Sequence, residues 1–254
     1  MRYQGSKYKI RNILQNIIEP NILNNYTYIE PFSGGCNSIA YINAKTKIAS
    51  DSNKYIIAMW KGLQQGTFNP PQTITKEEYC NIKKDWKTSQ GQYPDALIGY
   101  VATCCSYGGG WFAGYANYNP KKKEDHIKEA YNGLMKHIKH FNNFQNTTFI
   151  NQEYDKIVYP ENSIIYCDPP YASTKKYITD FNSEKFYQWM RDMSTKGYII
   201  LMSEYTAPPD FICIWSKTMQ DGMASVNKQK IEKIYVHSSI IHKVIIPEYI
   251  RKAI

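Results

Sequence analysis

A carboxylate, two prolines and a tyrosine stand in a row at Asp168-Pro169-Pro170-Tyr171, directly after the apolar run Ile164-Ile165-Tyr166-Cys167. Prolines placed straight after a strand stiffen the loop at its carboxyl end, where α/β sheets put their ligands. The residue types suit an amine whose lone pair is delocalised into an aromatic ring, as in adenine, which makes it a poor nucleophile. An ionised Asp168 accepts one N–H, and a proline carbonyl, assigned here to Pro169, accepts the other. That geometry frees the lone pair towards a methyl donor. Positive charge builds on the nitrogen as the new bond forms, so such an acceptor stabilises the transition state more than the ground state. Pro170 completes the rigid turn, and Tyr171 can stack on the base and fix its plane. A base inside a duplex must be flipped out to reach such a loop, at a cost of a few kcal/mol, and stacking on one aromatic returns about 1–3 kcal/mol. The same four residues also read, more plainly, as a stiff strand-end turn.

A second cluster is Ile29-Glu30-Pro31-Phe32-Ser33-Gly34-Gly35-Cys36. Glycines between a strand and a helix let a ligand approach the backbone closely. The Gly-x-Gly-x-x-Gly spacing and the Walker lysine and serine are both absent, which weighs against a dehydrogenase or a kinase. Asp51, roughly twenty residues further on at the end of the next strand, is placed to accept from ribose hydroxyls. Capping the following helix is an equally simple role for it.

These residues need elements to hold them. Ile10, Ile13, Leu14, Ile17 and Ile18 recur at helical spacing over Lys9–Ile18, and Pro20 ends the pattern. Tyr26–Glu30 reads as a short buried strand, Cys36–Ala44 as a helix after the glycine turn, Lys47–Ser50 as a strand ending at Asp51, and Asn53–Gln64 as a helix. Strand, glycine turn, helix, strand and acid is the order of a nucleotide-binding βαβ unit. From about Gly66 to Asn146 the chain is polar, broken by Pro70-Pro71, Gly91, Pro94 and Gly108-Gly109-Gly110, and basic at Lys121-Lys122-Lys123. This segment reads as an insertion carrying recognition. The α/β pattern then resumes with strands Thr147–Asn151 and Ser163–Cys167, helix Ser183–Thr195 and strand Tyr198–Ser203. Ile212–Trp215 and Ile234–His237 suit a closing hairpin, and Ser239–Ile254 has no clear pattern. The expected division is a catalytic domain from 1–65 and 147–254, with 66–146 as an inserted target-recognition region.

At 254 residues the chain can bury one sizeable core. Lysine and arginine outnumber the acids 31 to 22, a formal charge of +9, so a polyanionic partner is plausible, although basicity alone does not separate nucleic acid from an acidic membrane surface. No apolar run approaches the roughly 20 residues that cross a bilayer, and Met1-Arg2-Tyr3-Gln4-Gly5-Ser6-Lys7 lacks the apolar stretch of a secretory signal. A soluble cytoplasmic protein is expected. The six cysteines include no Cys-x-x-Cys pair and read as reduced thiols. His137 and His140 have helical spacing but no third ligand nearby in the sequence, so no metal is expected. The 23 tyrosines offer stacking surfaces for bases, although a composition bias accounts for most of those outside the motifs.

Taken together, Asp-Pro-Pro-Tyr, Glu-Pro-Phe-x-Gly-Gly and the N-terminal Tyr3-Gln4-Gly5-Ser6-Lys7 resemble the Dam-type, D12-class DNA adenine-N6 methyltransferases, with motifs in the class α order and a likeness to phage members. The resemblance runs from residue 2 to about residue 240. It implies a Rossmann-like S-adenosylmethionine-dependent methyltransferase sheet with helices on both faces and an inserted, mostly helical DNA-recognition region. It implies that Tyr3, Lys7, Phe32, Gly34, Asp51, Glu153, Tyr154 and Asp168 line the S-adenosylmethionine site, with Asp168 shared between cofactor pocket and catalysis. Ser106-Tyr107-Gly108-Gly109-Gly110-Trp111-Phe112-Ala113-Gly114-Tyr115 is similar to a stretch in phage-like members, which puts Tyr107, Trp111 and Tyr115 near double-stranded DNA, with Lys121, Lys122 and Lys123 on phosphates. Ser203-Glu204-Tyr205 resembles the segment after the family's catalytic strand. Cys36 stands where many members have a third glycine or alanine, and no target sequence carries over. A monomer or weak dimer is expected.

Three other readings remain at this point. RNA or a free nucleoside could supply the adenine, cytosine N4 could be the acceptor, or the fold could survive as a non-catalytic DNA-binding module. Intact Lys7, Asp51, Asp168 and Tyr171 weigh against the last.

Overall fold

In the computed structural model, residues 1–23, 25–116, 118–119, 124–171, 181–220 and 229–251 are described. The elements are α1 (Arg11–Ile18), β1 (Thr27–Glu30), β2 (Thr46–Asp51), α2 (Lys54–Gln65), α3 (Lys76–Thr88), α4 (Asp95–Thr103), β3 (Tyr118–Asn119), β4 (Glu124–Asp125), α5 (His126–Lys139), β5 (Thr147–Asn151), β6 (Ser163–Cys167), α6 (Ser183–Thr195), β7 (Ile199–Glu204), β8 (Phe211–Gln220), β9 (Gln229–His237) and α7 (Glu248–Arg251).

A seven-stranded sheet in the order β5-β2-β1-β6-β7-β9-β8 forms the centre, and β3 and β4 make a small separate hairpin. Strands β5, β2, β1, β6 and β7 are parallel, while β9 runs antiparallel to both β7 and β8. All of β6 and β7 is buried, which fits their continuous apolar character. The chain leaves β1 towards β2 on one side and leaves β6 towards β7 on the other. The carboxyl ends of β1 and β6 therefore flank the point where the strand order reverses, which is where open α/β sheets bind ligands.

Helices flank this sheet. Asn53 caps α2 by accepting from the Tyr55 and Ile56 amides. The α2 helix buries Trp60, whose ring stacks on Phe149 of β5 at 6.1 Å and whose Nε1 donates to the Gly34 carbonyl at 2.9 Å. The segment expected to be an insertion is largely helical and leans on this body. A Cβ on Gly99 of α4 would lie 2.2 Å from the Tyr55 carbonyl oxygen of α2, so only glycine permits that approach. In α5, Ile127, Ala130, Leu134 and His137 are buried.

Three local expectations are corrected. Cys36–Ala44 is not a helix but a run of buried turns, entered through Cys36 at φ 52°. The carbonyls of Ile39 and Ile42 are claimed by the fully buried Lys47 ammonium at 3.0 and 3.3 Å, and the Asn142 carbonyl takes its third proton. The Lys47 ammonium thus meets buried carbonyls that no helical ladder satisfies. The first helix divides into a 3₁₀ turn at Lys7–Ile10 and α1, and Pro20 lies inside a second 3₁₀ turn, Glu19–Asn21, where its missing N–H costs nothing. The closing hairpin is longer at both strands than the apolar cores Ile212–Trp215 and Ile234–His237 indicate.

Candidate active site

The end of β6 delivers Asp168, with Pro169 buried and Pro170 half-buried behind it. Lys7 reaches the loop from the N-terminal 3₁₀ turn, where the Ser6 side chain accepts from the Tyr8 amide. Its Nζ lies 2.9 Å from Asp168 Oδ1 and 3.3 Å from Glu232 Oε1, with side-chain exposures of 9% for Lys7, 22% for Asp168 and 11% for Glu232. The ammonium also sits 4.7 Å from the centre of the Tyr171 ring. The Tyr171 hydroxyl donates to Glu232 Oε1, and its ring meets Tyr205 edge to face at 4.6 Å.

Burial pushes the Asp168 carboxyl up to about 6, with Lys7 opposing and Glu232 adding to the rise. Burial also lowers Lys7, but Asp168 and Glu232 more than compensate and hold it above its ordinary value. Asp168 is thus mostly ionised at neutral pH and Lys7 stays charged, as a carboxylate acceptor requires.

The Pro31–Gly35 loop leaves the neighbouring strand β1. Asp51 Oδ2 accepts from the Gly34 amide at 2.9 Å and Oδ1 from the Asn53 amide at 2.9 Å, so this carboxylate braces the glycine turn. Burial holds it up at about 6. Tyr3 packs on the turn: a Cβ on Gly34 would lie 2.6 Å from Tyr3 Cε1, and one on Gly35 2.6 Å from Tyr3 Cβ. Phe32 meets Tyr154 at 5.4 Å and Phe186 at 5.6 Å. Glu153 is exposed beside the buried Tyr154. Behind the loop, Glu30 accepts from the Tyr28 hydroxyl at 2.7 Å and the Ser38 hydroxyl at 2.8 Å, and burial raises it to about 8. Ser33 Oγ and Asn37 Nδ2 are buried next to the turn with no hydrogen-bond partner among the described residues. Buried polar atoms are ordinarily paired, so these two are polar groups that a ligand beside the turn could meet.

The N-terminal segment ties a third loop to these two. Gln4 N donates to the Gly109 carbonyl at 3.2 Å, and a Cβ on Gly109 would lie 2.8 Å from the Tyr3 nitrogen. Within this loop Tyr107 is 68% exposed, whereas Trp111 and Tyr115 are turned into supporting contacts. Trp111 packs between Tyr55 at 5.9 Å and Trp86 at 5.8 Å. The Tyr115 hydroxyl donates to the Ile74 carbonyl at 2.7 Å. Lys121, Lys122 and Lys123 lie outside the described residues.

The structure therefore gathers Lys7, Asp168 and Tyr171 at one strand end and Tyr3, Phe32, Gly34, Asp51 and Tyr154 around the adjacent turn. Sequence reasoning passed over Glu232, and it quoted Glu30 within the second cluster without giving it a role. The signal for Glu232 was an acid on the same strand face as Ile234 and Val236, two residues apart from one another. The signal for Glu30 was an acid ending a buried strand.

A mostly parallel sheet with a braced glycine turn and an aspartate loop on either side of its switch point defines a methyltransferase of the S-adenosylmethionine-dependent fold. The family model of the D12 class N6 adenine-specific DNA methyltransferases matches residues 3–245, and the chain belongs to that family. It is 26% identical over 235 residues to the modification methylase StsI of Streptococcus sanguinis, covering 81% of this chain and 35% of that protein. It is 24% identical over 217 residues to the type II methyltransferase M.FokI of Planomicrobium okeanokoites, covering 79% of this chain and 33% of that protein. The chain thus spans about a third of the length of the curated relatives it matches. Among the described residues no helix is long and apolar enough to cross a membrane, and no three His, Cys, Asp or Glu are grouped to hold a metal.

Proposed function

We propose that this chain transfers a methyl group from S-adenosylmethionine to the N6 amino group of a flipped adenine in double-stranded DNA, acting as a monomer or weak dimer. The observation that carries this reading is the Asp168 carboxylate, held by Lys7 at 2.9 Å beside Tyr171 and next to the braced turn after β1. Asp168 accepts one amine N–H and the Pro169 carbonyl the other, which directs the nitrogen lone pair away from the ring system. The proton shed after transfer passes to Asp168, whose pKa near 6 suits a base working at neutral pH. Tyr171 supports the base by stacking.

The chain's residues fit the cofactor. The unpartnered Ser33 Oγ and Asn37 Nδ2, the remaining lone pairs of Asp51 and the rings of Phe32, Tyr154 and Tyr3 suit its polar and aromatic parts. When bound, S-adenosylmethionine supplies an electrophilic methyl group on a sulfonium. Residues 66–146 form the target-recognition region in this reading, with Tyr107 the exposed aromatic available to DNA and Lys121–Lys123 its phosphate contacts.

The test is transfer of labelled methyl to plasmid DNA and to structured RNA, followed by mass analysis of the nucleosides. N6-methyladenine from DNA is expected. RNA-only labelling or N4-methylcytosine defeats the reading. Asp168→Ala is expected to abolish transfer while leaving DNA binding mostly intact.

A further inference from the structure

Glu232 has no part in the mechanism just given, yet it meets two of the side chains that do. Because β9 runs antiparallel to β7, its first residues lie beside the carboxyl end of β7, next to the Asp168 loop. Glu232 there accepts from the Tyr171 hydroxyl and pairs with Lys7 through the same oxygen. We propose that Glu232 is a positioning residue for methyl transfer, the second counter-ion of Lys7, which keeps Lys7 and the Tyr171 hydroxyl in place when Asp168 turns to the amine of the incoming base.

When Asp168 shares its charge with an amine N–H and then takes the proton shed after transfer, it balances Lys7, now 2.9 Å from its Oδ1, less well. An ammonium whose side chain is 9% exposed has no ready access to water. Leaving such a charge without a partner costs far more than a surface pair is worth. Glu232 at 3.3 Å is already within ion-pair distance and stays there through that step. Its hydrogen bond from Tyr171 also holds the ring that supports the base.

The groups facing Asp168 are Lys7 from the N-terminal turn, Glu232 from β9, Glu30 from β1, Tyr166 from β6 and Tyr171 from its own loop. Removing the charge of Glu232 takes away a neighbour that raises Asp168, so Asp168 then titrates at lower pH.

The test is Glu232→Gln, which keeps an acceptor for Tyr171 and removes the charge. Its kcat is expected to fall on the order of tenfold to a hundredfold, as for a misplaced catalytic group, with KM for S-adenosylmethionine and DNA little changed. The acid limb of kcat/KM is expected near 6 in the wild type, where burial holds Asp168, and at lower pH in the variant. NMR titration of the Asp168 carboxyl carbon, in protein free of cofactor and DNA, reads the same downward shift without turnover. Glu232→Asp retains the charge and is expected to keep most of the wild-type titration. A Glu232→Gln enzyme with wild-type kcat overturns the proposal. So does a loss of kcat with an unmoved Asp168 titration, which marks a packing defect only. The proposal rests on the methyl-transfer reading, and the arms separate the two. A wild type that methylates nothing defeats that reading, whereas the NMR titration alone decides whether Glu232 and Asp168 share Lys7.

Discussion

Tyr171 is held by two different forces, an edge-to-face contact with Tyr205 and a hydroxyl bond to Glu232. The two can be separated by mutation. Tyr171→Phe keeps the ring and loses a hydrogen bond to a charged acceptor, worth about 1.5–3 kcal/mol, so a loss of kcat of roughly tenfold to a hundredfold is expected. Tyr171→Ala also loses stacking, worth about 1–3 kcal/mol per base, and is expected to fall roughly another fivefold to a hundredfold. Equal single-turnover rates for the two variants would remove stacking from the mechanism. Glu30 gives a residue-scale effect on stability. Its carboxyl, ordinarily near 4.5, is raised to about 8 by burial, so between those values the folded chain keeps a proton that the unfolded chain releases. Stability therefore falls as pH rises through that window, by at most about 1.4 kcal/mol per pH unit. Asp51 and Asp168, held near 6, add to the slope at its lower end. Glu30→Gln is expected to flatten the curve, chiefly above 6, in denaturant titrations across this range. An unchanged slope would mean that Glu30 is ionised in the folded protein.

Among the elements, the turn segment after Cys36 depends on a side chain from the next strand. Lys47 gives its three protons to the carbonyls of Ile39, Ile42 and Asn142, and its burial lowers its pKa to about 8. Lys47→Met leaves those acceptors buried and unmet, at about 1–3 kcal/mol for each group that finds no water. A loss of about 3 kcal/mol is expected, or roughly 6–12 °C in Tm for a chain of this size. A melting temperature unchanged in calorimetry would show that water replaces the ammonium there. This segment also shows where sequence reading stops. The apolar spacing over Cys36–Ala44 is compatible with a helix, and nothing local announces that a lysine beyond it will take its carbonyls. The loops Asp168–Tyr171 and Pro31–Gly35 are legible because each is contiguous and follows a strand whose apolar run is plain. Glu232 is not, because its place in the site comes from pairing between distant strands. Asp51 was read for its position and found bracing the Gly34 amide, a bond that depends on where the turn folds back.

For the molecule as a whole, the formal charge of +9 predicts that DNA affinity falls linearly with the logarithm of salt concentration, with a slope of about −0.9 for each phosphate contacted. Binding of S-adenosylmethionine, which displaces no condensed counter-ions from a phosphate backbone, is expected to change far less over the same range. A flat salt response for DNA would place the basic surface away from the duplex. The two directions in the sheet have an inheritance of their own. The parallel strands present their ends to the site as loops, which drift in length without moving the strand behind them. The antiparallel β9 presents a residue within its ladder, where Glu204 of β7 faces Lys233. Alternation along a strand has a period of two, so deleting one residue of β9 after Lys233 would bring Ile231 to the place where Glu232 stands. The sheet would still form, with the second counter-ion of Lys7 lost from its edge. In this strand the place of Glu232 is set by parity, and natural variants are expected to change β9 in steps that preserve it.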